Sequence, residues 1–278
     1  MNPKENTVAA VIPTKNVQKI IRGALDSLRF CDEVIIVDMF STDETKAICE
    51  SYPNVRYFAR NGYIYENFNF GMDQAKSNWI IRLDSDERLT IELQQEIQAL
   101  LGGAPGHDVY TAPFVSYFLG EPIYHGTGES KGRRETLFRK GKLRYKARSE
   151  HEPLTPPDGV QVSTGELRGM YLHFSTPSIR KYLDKINYYT EKDFERAPME
   201  ILRVVPRWKL PLMAARKFFQ SYIGLRGYKD GYHGFALACL DTIYFVVHYL
   251  KEWEKKTSQR EHHDRVRETF DRSLGSGK

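Results

Sequence analysis

Over its first hundred residues the chain alternates short apolar runs with helically spaced segments, and this constrains its fold more than any other feature. Val8 to Pro13, Glu33 to Asp38, Val55 to Ala59 and Trp79 to Leu83 are four runs rich in β-branched or aromatic residues. Between the first two, Ile20, Ile21, Ala24, Leu25 and Leu28 share one helical stripe. After the second, Ser41-Thr42-Asp43-Glu44 reads as a capping box, with the Ser hydroxyl and the Glu carboxylate serving free amides of a following helix. Strand–helix–strand alternation with near-continuous apolar strands predicts an α/β fold whose parallel sheet is covered on both faces. Open sheets of this kind bind ligands at the carboxyl ends of their strands. Three segments occupy such positions: Thr14-Lys15-Asn16, Asp38 to Asp43, and Asp84 to Glu87.

The break Gly102-Gly103-Ala104-Pro105-Gly106 closes this pattern. Beyond it, Val109 to Phe118 and Thr136 to Phe138 read as strands, Gly126 to Gly132 as a loop and Thr155 to Gly159 as a turn. From Ser178 onward the chain reads as helical and aromatic, with a frayed end. The composition, 41% hydrophobic and 28% charged, argues against wholesale disorder. No apolar run approaches the ~20 residues of a spanning helix, so none is expected. Met1 to Thr7 is polar, so no secretory signal is expected either. Three cysteines, Cys31, Cys49 and Cys239, lack metal spacing and suit a reducing cytoplasm.

Asp84-Ser85-Asp86-Glu87 follows the fourth strand directly. Three carboxylates in four residues repel one another unless a cation neutralises them. Mg²⁺ and Mn²⁺ take such oxygen ligands and bridge them to phosphates. The alternative is a solvated acidic turn before a helix starting near Thr90. Asp38, ending the second strand, either accepts a hydrogen bond from a bound nucleotide or caps its own turn.

Pro13-Thr14-Lys15-Asn16, Val37-Asp38 with Ser41-Thr42-Asp43, Asn69 ahead of Trp79, and Leu83-Asp84-Ser85-Asp86-Glu87-Arg88 together resemble family 2 glycosyltransferases, especially bacterial lipopolysaccharide-core and capsule glucosyltransferases. A weaker resemblance continues through Arg134 to Arg139, His151-Glu152 and the Tyr/Lys-rich helices to about residue 256. Phe68 stands where these proteins often carry a basic residue, and Met39-Phe40 replaces the usual small residues. The resemblance implies a GT-A fold: a doubly wound, mostly parallel, Rossmann-like sheet with a helical, basic-aromatic C-terminal extension. It implies residues 1–105 as the nucleotide-sugar half, 106–177 as the acceptor-side half, 178–262 as the helical region and 263–278 as a frayed tail. It also implies a nucleotide-diphosphate sugar donor (UDP-linked first), a divalent metal (Mg²⁺ or Mn²⁺) and inversion at the anomeric carbon. Carried onto this sequence, the donor would meet Pro13, Thr14, Asn16, Asp38, Ser41, Asp43, Asn69, Asp84, Ser85 and Arg134. The metal would sit on Asp86 with Asp84. An inverting transfer needs a base on the opposite face. Glu152 is favoured over Glu150, the alternative being a charged surface turn before Pro153. One of Arg133, Arg134 and Arg139 either clamps a diphosphate or is plain strand-edge charge. His173, in an apolar run, reads first as a core residue and second as a ligand.

Charge is uneven: residues 1–105 hold 11 Lys and Arg against 15 Asp and Glu, and the remainder 30 against 21. Residues 200–260 alone hold 11 bases against five acids, interleaved with Trp208, Phe218, Phe219, Tyr222, Tyr228 and further rings to Trp253. This composition fits an anionic membrane surface, reached peripherally from the cytoplasm. The resemblance supports it by implying a saccharide or lipid-linked saccharide acceptor. The rivals are a helical subdomain packed on the sheet, or nucleic-acid stacking. A nucleotidyltransferase is the enzymatic rival, but it would carry a glycine-rich basic loop after the first strand, and Pro13 to Val17 has no glycine. A basic nucleic-acid-binding protein would need no acidic cluster.

Overall fold

The structure, a computed structural model, describes residues 6–126, 132–146, 153–196 and 206–275. It divides into two units. The first is Met1–Tyr117 with Glu129–Ser175, and the second is Phe118–Gly128 with Thr176–Lys278. The two halves expected on either side of residue 105 fall largely together in the first unit. Residues on both sides of that glycine break join one sheet, and an excursion at 118–128 belongs with the C-terminal helices.

In the first unit the expected runs become β1 (Val8–Thr14), β2 (Glu33–Asp38), β3 (Val55–Ala59) and β4 (Trp79–Arg82). They pair in parallel in the order β3-β2-β1-β4, so their carboxyl ends share one edge. The sheet then continues through β8 (Arg133–Arg139), β6 (Val109–Phe118), β10 (Tyr171–Thr176) and β5 (Glu87–Leu89). β8 runs antiparallel to both β4 and β6, which makes the sheet mixed, and β9 (Thr164–Glu166) pairs parallel to β6.

The helices α1 (Ile21–Asp26), α2 (Thr45–Glu50), α3 (Ile64–Gln74) and α4 (Ile91–Gly102) cover the sheet. Alternate residues of one strand point to opposite faces. Val8, Ala10, Ile12, Val34 and Ile36 thus pack with Ile21, Leu25 and Ile97 on one face. Ala9, Val11, Ile35 and Val37 pack with Phe68 and Met72 on the other. Gly71 lets α3 press close, since a Cβ there would lie 2.3 Å from Val11 Cγ1.

One local expectation changes and another holds. The capping box before α2 is absent: Ser41 bonds elsewhere, and Asp43 accepts the Thr45 N–H at 3.0 Å instead. Beyond Asp84 to Glu87 the helix expected near Thr90 is found as α4. The short strand β5 intervenes, and Thr90 then caps α4 by accepting the Leu93 N–H at 3.3 Å.

The second unit holds β7 (Glu121–Ile123), α5 (Ile179–Arg196), α6 (Lys209–Phe219) and α7 (Gly231–Gly275), with a π-helical turn at Gln220–Gly224 and a 3₁₀ turn at Gly227–Asp230. Its enclosed apolar cluster is small: Phe118, Ile123 and Leu240, flanked by Tyr182, Ala236 and Leu237. A Cβ on Gly234 would fall 1.9 Å from the Gly227 carbonyl, so glycine lets α7 pass tight against the turn before it. α7 reaches Gly275, where a frayed tail is expected from residue 263; its last third carries helix-forming Glu and Arg. By length and composition alone, Gly227–Lys255 qualifies as a membrane-crossing helix, contrary to the expectation that none would.

Candidate active site

Two loops at the carboxyl edge are stitched to each other. Thr14 and Asp38 lie opposite in register, and the Thr14 hydroxyl donates to Asp38 Oδ1 at 2.9 Å. Ser41 donates its N–H to Asp38 Oδ2 at 2.7 Å and its hydroxyl to Oδ1 at 2.5 Å. Asn16 sits in the left-handed region at φ 52°. Its N–H donates to Ser41 Oγ at 2.8 Å, and its Oδ1 accepts the Thr42 N–H at 2.8 Å. Desolvation works against charge on Asp43, yet donors from Thr45 and Gln18 leave its pKa lowered. Asp38 is buried, and its carboxylate is spent on closing these loops. Its neighbour Tyr57 has its phenol pushed up, first by burial and then by Asp38. Pro13 is buried within β1, while Phe40, at φ 55°, is exposed in the loop after β2.

The acidic turn carries its own cations. Arg82, the last residue of β4, pairs with the Asp84 carboxylate and with Glu87 Oε2 at 3.3 Å. Arg134 from β8 reaches Glu87 Oε1 at 3.3 Å and lies 4.3 Å from the centre of the Phe114 ring. The Asp84 N–H donates to Glu87 Oε2 at 2.8 Å. Burial raises the Glu87 pKa, with Arg82 opposing. Burial also works against charge on Arg82, but Asp84 and Glu87 overcome it and hold the guanidinium firmly protonated. Arg133 instead bonds Thr111 and the Leu167 carbonyl, and Arg139 lies over Trp79, so of the three arginines Arg134 alone meets the acidic turn.

Asp86 faces a different partner. β10 pairs antiparallel with β5, setting His173 opposite Glu87, and the Phe174 N–H donates to the Asp86 carbonyl at 2.8 Å. This register brings His173 Nε2 to 3.7 Å from Asp86 Oδ1. His173 is thus both buried and beside the acidic turn. Ser85, within that turn, is half-buried. Among the described residues, no three His, Cys, Asp or Glu side chains converge as a metal cage. At the acidic turn one carboxylate and one imidazole come together: the carboxylate suits Mg²⁺ or Mn²⁺, the imidazole suits Mn²⁺ better than the harder Mg²⁺, and phosphate oxygens would be required to complete the shell.

Asn69 on α3 spends its amide on one backbone unit. Its Nδ2 donates to the Tyr145 carbonyl at 2.8 Å, and its Oδ1 accepts the Tyr145 N–H at 3.1 Å. The Tyr145 hydroxyl accepts from Arg82 Nε at 3.0 Å, and its ring stacks on Tyr65 at 4.5 Å. Burial pushes the Tyr145 phenol up to about 12. Glu150, His151 and Glu152, shortly after Tyr145, lie outside the described residues. Arg82 and Tyr145 are absent from the sequence reading. A charged residue ending an apolar strand was a signal for Arg82; nothing local marks Tyr145.

The carboxyl edge thus offers a polar cradle from two stitched loops, an acidic turn with one histidine, and an arginine at its border. The sequence model described as Glycosyl transferase family 2 matches residues 9–161. The chain is 26% identical over 260 residues to the lipopolysaccharide core biosynthesis glycosyltransferase LpsC of Rhizobium meliloti (strain 1021), covering 89% of this chain and 92% of that protein. It is 28% identical over 242 residues to an uncharacterized glycosyltransferase of Rickettsia felis, covering 82% and 83%. The crystal structure of S. aureus TarS 1-349 overlaps 86% of this chain and 90% of its own, at 16% identity and a TM-score of 0.45. The architecture is the GT-A fold, and the chain belongs to glycosyl transferase family 2 and is a glycosyltransferase.

Proposed function

We propose that this enzyme moves a hexose from a nucleotide-diphosphate sugar, UDP-linked first, to a hydroxyl of a surface glycan or lipid-linked saccharide, with inversion. The observation that carries this reading is the placement of Asp86, beside His173, at the edge where β1, β2 and β4 all end. Asp86 and His173 would hold Mg²⁺ or Mn²⁺, with Asp84 next to them. The metal's contribution is to offset charge on the departing nucleoside diphosphate. Arg134 would lend its guanidinium to the diphosphate. The cradle of Thr14, Asn16, Ser41 and Asp43 would receive the nucleoside through its loop backbone, with Asp38 holding the cradle shut. Asn69 acts through Tyr145, fixing the start of the segment that leads to Glu150 and Glu152. Glu152, or Glu150 in its place, would take the acceptor's proton.

The acceptor class is supported by the name of the LpsC relative and by the exposed rings and bases of the second unit. That surface, with Trp208, Leu212 and Phe219 exposed beside Lys209, Arg216 and Lys217, suits peripheral docking on the cytoplasmic face of an anionic membrane. A thermal-shift panel of nucleoside diphosphates with and without Mn²⁺ tests the donor reading, because a ligand of the folded state raises its stability. Stabilisation by one nucleotide plus metal is expected; none by any pair would overturn it. Mass-spectrometric screening of nucleotide-sugar hydrolysis then identifies the sugar.

A further inference from the structure

Arg82 ends a strand whose other three residues are Trp79, Ile80 and Ile81. Its side chain is 14% exposed and sits 5.0 Å from the centre of the Phe68 ring. Burying a guanidinium there is costly unless every direction is answered. It is answered on three sides: by Asp84, by Glu87 Oε2 at 3.3 Å and by the Tyr145 hydroxyl at 3.0 Å. Glu87 also has Arg134, whereas the Asp84 carboxylate is held by Arg82. The repulsion that the sequence implies among Asp84, Asp86 and Glu87 is therefore relieved within the protein itself.

We propose that Arg82 is a resident counter-cation of the acidic turn, competing with the catalytic divalent metal for the Asp84 carboxylate. The proposal rests on the metal reading above. A dication brought by the nucleotide next to Asp86 must draw Asp84 away from Arg82 or work without it. Arg82 does not leave, because Glu87 and the Tyr145 hydroxyl still hold it. Its charge therefore weakens metal binding in two ways: it occupies a ligand, and it repels the incoming cation. This lets the turn fold without metal and leaves the ion exchangeable after each turnover.

Direct titration of Mn²⁺ with uridine diphosphate present, read by the electron-paramagnetic-resonance signal of free Mn²⁺, tests this on the full chain. The wild type is compared with Arg82→Met, Arg82→Lys and Tyr145→Phe, each checked for a cooperative melt. Losing one charge-assisted pair should tighten Mn²⁺ about tenfold in Arg82→Met. Lysine keeps the charge without the planar fork, so Arg82→Lys should tighten it by about threefold. Tyr145→Phe leaves the ion pairs in place and should stay within about twofold of wild type. Unchanged or weaker binding in a folded Arg82→Met overturns the proposal. If that variant does not fold, unchanged or weaker binding in Arg82→Lys does so. Equal tightening in Tyr145→Phe also overturns it, because general loosening would then be the cause. A wild type that binds no Mn²⁺ removes the metal reading itself. A wild type that binds Mn²⁺ without the Arg82 effect removes this inference alone.

Discussion

In the first unit Trp79, Phe68, Phe138 and the isoleucines of β1, β2 and β4 are completely enclosed. In the second, Trp208 is 62% exposed, Leu212 65%, Phe219 60% and Tyr232 80%. The same residue types are thus used in opposite ways. A two-faced sheet with helices on both sides can bury nearly every apolar side chain it carries. The helices of the second unit close over a few residues only, and α6 buries none of its own. Exposed apolar side chains in that number accord with the docking role proposed for these helices. The contrast is what the proposed division of labour would look like: chemistry at the sheet edge, attachment on the helices.

The hardest test of that separation is Asp86→Asn. Loss of metal-assisted leaving-group stabilisation should cut transfer by about 10³-fold or more, with liposome flotation unchanged. Near-normal turnover in a folded variant would remove Asp86 from the metal. Next, Glu152→Gln should lower turnover by ~10²–10⁴-fold while donor affinity holds. If Glu150→Gln is dead and Glu152→Gln active, the base is Glu150; if both are active, it lies elsewhere.

A third pair pits the units against each other directly. Phe68→Ala empties a fully buried site and should cost ~3–5 kcal/mol of stability. Trp208→Ala should move stability by less than ~0.5 kcal/mol. It should instead weaken flotation with anionic vesicles, the more so at high salt, where charge is screened and the rings carry what remains. No flotation by the wild type would assign these rings to an ordinary helical subdomain.

The smallest effect concerns pH. Glu33, at the amino end of β2, is desolvated, but Arg56 and the Ser77 and Lys76 donors leave its pKa lowered. Its folded value lies below the unfolded one, so its contribution is complete above the ordinary carboxylate range and fades as pH falls through the folded value. Asp241 on α7 is raised by burial, against hydrogen bonds from Tyr182 and Ser221. Its sign is reversed: the folded state holds the proton longer, and stability is lost as pH rises from the ordinary value through the raised one. Melting curves of Glu33→Gln should fall below wild type at about pH 7, stay below it at about pH 4 and approach it only on further acidification, below the lowered folded value. Those of Asp241→Asn should lie slightly above wild type at about pH 7 and converge with it already at about pH 4. Shifts that stay parallel across the whole pH range would refute the assigned directions.

What the sequence discloses follows from the range of the forces involved. β2, β3 and β6 match their expected spans residue for residue, because an apolar run bounded by turns is a local signal. The edge where Asp38 and Asp86 lie follows from strand order alone. Partners supplied from far along the chain were not legible: Tyr145 meets Arg82 across 63 residues, and His173 reaches Asp86 only through the pairing of β10 with β5. The cap of α2 misled for a related reason. Ser41 has the right spacing, but Asp38, three residues back, takes both its N–H and its hydroxyl.

The excursion at 118–128 also sets an order of events during synthesis. Both segments of the first unit, through Ser175, emerge from the ribosome before the helices that follow Thr176. Phe118 and Ile123, enclosed in the finished protein, gain Tyr182 early but their cover is complete only when Leu240 is made. At ~5–20 residues per second, the chain from Ser175 to Leu240 takes roughly 3–13 s to synthesise. For that interval a nascent chain with a nearly complete sheet displays two greasy side chains from its middle.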